Sequence, residues 1–152
     1  MNTQAPFLYW LGDSFIESVG QGRANRCIPL KKMIERGIAV ANSHDATVTP
    51  PLPTIGLYSS VARTTIQEDS MGEDEAITHL QALQTYTTLA AWHAFMEEKI
   101  GSIEAGKYAD LVIWDRNPLE VSVEGLRELE VETTLLAGRV VYSRIKSNSR
   151  IS

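Results

Sequence analysis

The 152 residues predict an α/β fold that gives way, near Gly101, to a small β-sheet. Three observations carry that expectation. Between Pro29 and Ala41 a helical stretch, a glycine and a continuous apolar run follow one another, the order of a helix feeding a strand buried on both faces. Beyond Gly101 the apolar residues come in short extended runs separated by turn residues. The composition, 43% hydrophobic and 22% charged, belongs to a chain able to bury a core.

The elements follow in order. Phe7-Leu8-Tyr9-Trp10-Leu11, closed by Gly12-Asp13, predicts a buried strand and then a helix start. Pro29 opens a helical stretch with Leu30, Met33 and Ile34 on one side, Lys31, Lys32, Glu35 and Arg36 on the other, and Gly37 at its stop. Ile38 to Ala41 is the buried strand. The loop from Asn42 to Pro53, rich in Ser, Thr, Asp and Pro, leaves directly from the strand end, where α/β folds carry their chemistry. Pro53 starts a helix through Ile55, Leu57, Tyr58 and Val61, and a polar loop follows from Thr64 to Asp74. Thr78 and Gln81 have the spacing of a capping box. Leu80, Leu83, Tyr86, Ala90 and Ala94 then give an apolar face to one helix, or to two broken near Thr87 and Thr88.

Past Gly101, Ser102 to Trp114 predicts two extended stretches around Gly106, and Asn117-Pro118 a turn. Glu130 to Leu136 and Arg139 to Ser143 predict a hairpin turning on Ala137-Gly138. Residues 146–152 have the composition of a polar tail.

Several function classes are disfavoured by the same residues. No run approaches the roughly 18 apolar residues of a membrane helix, and the start lacks the basic-then-apolar order of a signal peptide. The single Cys27 rules out an intrachain disulfide and fits a cytoplasmic location; without a histidine motif beside it, it is a small packing residue. The net charge is -5, with the acidic excess in Glu68–Glu75 and Glu124–Glu132, so nucleic acid is not an expected partner. Gly101 to Lys107 imitates a phosphate-binding spacing, but a helix precedes it and a strand follows, the reverse of that motif. Tyr9, Trp10, Tyr58, Trp92 and Trp114 are expected to pack in the core.

Two segments carry a resemblance. Gly101-Ser102-Ile103-Glu104-Ala105-Gly106-Lys107-Tyr108-Ala109-Asp110-Leu111-Val112-Ile113-Trp114-Asp115, followed by Thr134 to Tyr142 with its Gly138-Arg139-Val140-Val141-Tyr142, resembles the closing signature of the amidohydrolase superfamily. Ile38 to Arg63, with Asn42-Ser43-His44-Asp45-Ala46-Thr47-Val48-Thr49-Pro50 at its centre, is similar to amidohydrolase family 3, the branch of N-substituted formamide deformylase-like enzymes. Ser43-His44 stands where that branch has Gly-Ser, and Thr47 where it has proline.

The resemblance implies a partial TIM barrel over residues 1–100, holding its last strand-helix units, and part of the family's β-sandwich over 101–145. It implies that Asp45 takes the place of the aspartate that binds a divalent metal, zinc foremost, and accepts a proton from the attacking water. The implied chemistry is hydrolysis of carbon-nitrogen bonds other than peptide bonds, on a small amide-type substrate. The family's remaining ligands come from earlier strands, including a His-x-His pair, and the three histidines here, His44, His79 and His93, do not have that spacing. A catalytic zinc takes three protein ligands and a full barrel needs roughly 250 residues. The chain alone is therefore expected to hold no metal and to be inactive. His44 is expected on the loop surface, His79 exposed in a first helical turn, and His93 beside Tyr86 and Leu89. A non-catalytic remnant or interaction module is the alternative, and homo-oligomerisation is expected in either case, because a partial barrel leaves apolar surface and strand edges uncovered.

Overall fold

The computed structural model describes residues 1–144, so the expected polar tail at 146–152 lies outside the described residues. Strand β1 (Asn2–Thr3) lies parallel to β2 (Ala41–Asn42), with Asn2 beside Ala41 and Thr3 beside Asn42. Helices α1 (Pro6–Val19), α2 (Gln21–Ala24) and α3 (Leu30–Glu35) connect them. A parallel pair joined through helices is an α/β unit, the class expected, although its first strand is not an apolar run.

Two boundaries differ from expectation. Phe7–Leu11 is not a strand; it forms the early turns of α1. Pro6 in the first helical turn presets φ, and Leu8 and Gly12, four apart, share the buried side. Gly12 is needed for that approach, since a Cβ there would stand 2.6 Å from Thr65 Cγ2. The strand itself is the polar pair just upstream. Similarly, Ile38 is 41% exposed and pairing begins only at Ala41.

Beyond β2 come α4 (Pro53–Ala62), a 3-10 turn (Glu73–Glu75), α5 (His79–Tyr86) and α6 (Thr88–His93). The capping box forms as its spacing predicts: Gln81 N donates to Thr78 Oγ1 at 3.2 Å, and Thr78 N donates to Gln81 Oε1 at 3.0 Å. The chain breaks at Thr87, whose φ of -122° and ψ of -96° leave the helical region, and whose hydroxyl donates to the Leu83 carbonyl at 2.9 Å. Leu80 is exposed, and the buried residues of α5 are Ala82 and Thr85.

The sheet β3 (Leu111–Trp114), β4 (Val131–Leu136), β5 (Arg139–Ser143) is antiparallel in chain order. The hairpin turns on Ala137 and Gly138, both with positive φ, 48° and 77°, as a tight primed turn requires. Of the two extended stretches expected between Ser102 and Trp114, only Leu111–Trp114 pairs. A second 3-10 turn (Glu124–Glu128) sits on α4, with Leu126 buried and the Arg127 guanidinium 4.9 Å from the centre of the Tyr58 ring.

One core joins these layers: Ala5, Leu30, Val40, Leu57, Tyr58, Ile77, Ala82, Leu126 and Leu129, with Trp114 packed against it. A smaller cluster of Leu8, Ala24 and Met71 has Cys27 at its side, the packing role expected of that residue. Trp92 departs from the expectation of core aromatics, being 52% exposed.

Arg63 ties the two clusters. It closes α4 with a left-handed φ of 55° and is wholly buried. Its guanidinium donates to the carbonyls of Gly72 (3.2 Å), Ile28 (2.8 Å), Asn25 (3.4 Å), Cys27 (3.0 Å) and Met71 (2.6 Å). Burial pushes its pKa down to about 10, while Glu75 and Asp74 oppose that shift.

Glu75 is itself buried, its side chain 1% exposed, and pairs with the Lys32 ammonium while accepting from Lys32 N at 3.1 Å. Burial alone would raise this carboxyl; the hydrogen bonds from Lys32 and the charges of Lys32 and Arg63 outweigh it and hold the pKa below the usual glutamate value. A depressed native pKa contributes stability that is complete above the unfolded-state pKa, near 4.3, and is lost as pH falls through the lower native value. Acid should therefore lower the melting temperature of the native chain progressively below about pH 4.3. Glu75→Gln should melt lower at pH 7 and show a shallower acid slope in calorimetric melts across that range. An identical slope would exclude Glu75 as a source of the acid sensitivity.

Candidate active site

The candidate site begins where β2 ends. Asn42, the last residue of that strand, is buried, and its side chain is used on both sides: Oδ1 accepts from Ala5 N at 3.2 Å, and Nδ2 donates to Ser60 Oγ at 3.2 Å and Thr85 Oγ1 at 3.0 Å. One amide thereby fixes the strand end to the start of α1, to α4 and to α5. Ser43 N adds a bond to the Thr3 carbonyl at 2.8 Å, continuing the parallel ladder by one step. These anchors set where the next residues leave the sheet.

His44 turns under the loop. Its ring lies 5.6 Å from that of Tyr86 at a 34° tilt, its Nε2 is buried without a protein hydrogen bond, and its carbonyl accepts from Thr49 Oγ1 at 2.5 Å. This differs from the loop-surface placement expected of it, because the aromatic side of α5 offers it a packing partner. Burial raises the Tyr86 hydroxyl well above its usual value. Asp45 follows with the opposite exposure: it stands in solvent, with a left-handed φ of 47° and its carbonyl accepting from Val48 N at 2.6 Å. Aspartate tolerates that backbone region better than most residues. The carboxylate is thus presented three residues past a pinned strand end.

The other histidines lie elsewhere. His93 closes α6, with Nε2 3.1 Å from the Ala39 carbonyl and its ring edge-on to Trp92. His79 is half-buried in the first turn of α5, against the exposed placement expected. Among the described residues no group of three or more His, Cys, Asp or Glu side chains converges as a metal centre. With His44 turned toward Tyr86, Asp45 is the one candidate ligand at the strand end, so the residues present do not fit a metal by themselves. Asn42, Ser60 and Thr85 were not singled out in the sequence, where each is an ordinary polar residue; only the packing of three elements makes them a brace.

The Gly101–Lys107 segment has no phosphate-loop geometry. Lys107 Nζ donates to Ser102 Oγ at 2.6 Å, and the next element is β3.

An amidohydrolase family model matches residues 2–142. Over 122 residues, 80% of this chain and 22% of the relative, the sequence is 34% identical to the N-substituted formamide deformylase of Arthrobacter pascens. A metal-dependent hydrolase of Pyrococcus horikoshii superimposes with a TM-score of 0.68 at 25% identity, covering 81% of this chain and 25% of that one. An amidohydrolase of Thermotoga maritima does so with a TM-score of 0.54 at 26% identity, covering 76% and 26%. The chain spans about a quarter of the length of these relatives. The match over nearly all described residues, in both sequence and fold, places this chain in the amidohydrolase family, branch 3.

Proposed function

We propose that this chain is the carboxyl-terminal portion of a metal-dependent amidohydrolase that hydrolyses carbon-nitrogen bonds other than peptide bonds in small amide-type substrates, and that Asp45 is its catalytic carboxylate and a metal ligand. Residues 1–100 would be the last strand-helix units of a TIM barrel, and 101–145 part of a β-sandwich. The observation that carries this reading is the placement of Asp45: an exposed carboxylate just past the end of a parallel strand, on a loop whose base is fixed by Asn42. Catalytic groups of such folds occupy that end of the strands.

Water attacks an unactivated amide only when its proton is taken, and a carboxylate held at the strand end is a suitable acceptor. A divalent metal, zinc foremost, would be held in part by Asp45 and would supply a lowered water pKa and a polarised carbonyl. Its other ligands would come from further polypeptide, because among the described residues Asp45 alone does not complete three protein ligands. A cytoplasmic setting fits the single Cys27. Exposed apolar residues on the sheet, Ile113 and Val140 among them, favour a second reading, a non-catalytic interaction module.

Metal analysis of the purified chain by plasma mass spectrometry separates these contributions. The expected result is far less than one equivalent of zinc, iron or manganese, unchanged by Asp45→Ala. One equivalent per chain that Asp45→Ala abolishes would mean that the chain builds a whole site, and would overturn the partial-site reading.

A further inference from the structure

Asn42 and His44 stand two apart at the end of β2, where extended backbone sends alternate side chains to the same face. Their partners are adjacent residues of α5: Asn42 Nδ2 donates to Thr85 Oγ1 at 3.0 Å, and the His44 ring lies 5.6 Å from that of Tyr86. Ser43, between them, accepts instead from Gln4 Nε2 at 3.2 Å. The Asn42 contact belongs to the brace already described, whereas the His44 contact has no assigned role and stands immediately before Asp45.

The Tyr86 ring is itself seated. Its hydroxyl lies against Gly56 of α4, where a Cβ would stand 1.7 Å from Oη and 2.7 Å from Cζ, so the helix admits the ring only because this residue has no side chain. Neither Tyr86 Oη nor His44 Nε2 has a protein hydrogen bond, so ring packing joins the pair. The loop has a second anchor in Thr49, which is 1% exposed and donates to the His44 carbonyl at 2.5 Å. Asp45 to Val48 form an exposed span between these anchors. Among the described residues the Asp45 carboxylate has no hydrogen bond or ion pair of its own. Its direction is set by the backbone, at a left-handed φ of 47° that persists only where the surroundings fix it.

We propose that His44 is a positioning residue for Asp45 and that Gly56 acts through it: α4 seats Tyr86, Tyr86 seats the His44 ring, and the ring fixes the turn from which the carboxylate projects. This rests on the catalytic role proposed for Asp45, and it explains how a carboxylate without side-chain partners keeps one direction. A catalytic group displaced by about 1 Å loses on the order of 10²-fold in rate, so such a seat matters to the chemistry.

Backbone amide order parameters from NMR relaxation of the full chain, beside His44→Ala, His44→Phe and Gly56→Ala, test this. They report how firmly Asp45 is held whether or not it does chemistry, so a failure here is distinct from a failure of the catalytic reading. The expected value at Asp45 is about 0.85 in the native chain and below about 0.6 in His44→Ala and Gly56→Ala. Asn42, tied by its own bonds, keeps about 0.85 in every protein and marks the fold as intact. His44→Phe retains the ring and restores the native value at Asp45, a rescue that a general loss of stability would not show. His44 is half-buried in a loop, so its two variants decide the matter even where Gly56→Ala does not fold. An Asp45 as ordered in His44→Ala as in the native chain, or already below about 0.6 in the native chain, would overturn the proposal, as would a His44→Phe chain as loose as His44→Ala. A folded Gly56→Ala with Asp45 still ordered would overturn the route through Tyr86.

Discussion

Arg63→Met is expected to lower the unfolding free energy by about 3–5 kcal/mol, enough to move the melting temperature by roughly 10–20 °C in a chain of this size. The guanidinium is wholly buried and donates to five carbonyls contributed by two separate segments, Asn25–Ile28 and Met71–Gly72. Methionine fills the volume but donates nothing, so those carbonyls lose their donors inside the protein, and burying such a group unpaired costs about 1–3 kcal/mol each. Local rearrangement toward water recovers part of that sum. Arg63→Lys should recover only a fraction, because one ammonium has three donors from a single point and cannot span two segments. Gly72 shows how tight the cage is: a Cβ there would lie 2.3 Å from the Asn25 carbonyl oxygen, at a φ of 81°. Urea titrations followed by circular dichroism give the free energies; a loss below about 1 kcal/mol for Arg63→Met would show that the cage is dispensable.

Much of the fold was legible because local chemistry and tertiary packing agree. Thr78 and Gln81 form their reciprocal cap wherever the helix goes, and Ala137-Gly138 adopts the positive φ that a two-residue hairpin turn needs. Pro53 starts α4, and the two threonines at 87 and 88 mark the break between α5 and α6. Phe7–Leu11 failed for a physical reason: five consecutive apolar residues fit a buried strand or a half-buried helix equally, and the proline before them decided for helix. Nothing in Asn2–Thr3 announces a strand, since two polar residues pair only because β2 lies alongside.

The candidate site divides the same way. Asp45 stands out in the sequence through its motif and its place after an apolar run, and its role is the proposal made above. The brace beneath it was not: Asn42, Ser60 and Thr85 are spread over 43 positions, and no periodicity links them before the chain folds. His44 was misplaced because its neighbour Tyr86 is equally remote in sequence. Nothing in the sequence marks Arg63 at a helix end or Glu75 in an acidic loop as buried, yet both are, each because several partners converge on it from other elements.

The role assigned to Asp45 predicts the other large effect. Residues 2–142 match the amidohydrolase family, and the Arthrobacter pascens deformylase shares 34% identity over 122 residues, so a chimera that carries this chain's residues in place of the matching segment of that enzyme is the direct test. A carboxylate that takes the proton from attacking water contributes about 10²–10⁴ in rate, and losing a metal ligand with it deepens the loss. Asparagine keeps the shape and hydrogen-bonding reach of aspartate while removing the basic oxygen, so it tests the chemistry with little change in packing. The decisive measurement is kcat/KM for deformylation by that chimera and by its Asp45→Asn variant, with metal content and melting temperature recorded for both. A folded, metal-bearing chimera that loses about 10³-fold or more on Asp45→Asn is the predicted result. A folded chimera that deformylates within about threefold of the same rate after Asp45→Asn would remove Asp45 from the chemistry and contradict the reading of this chain as the carrier of a catalytic carboxylate.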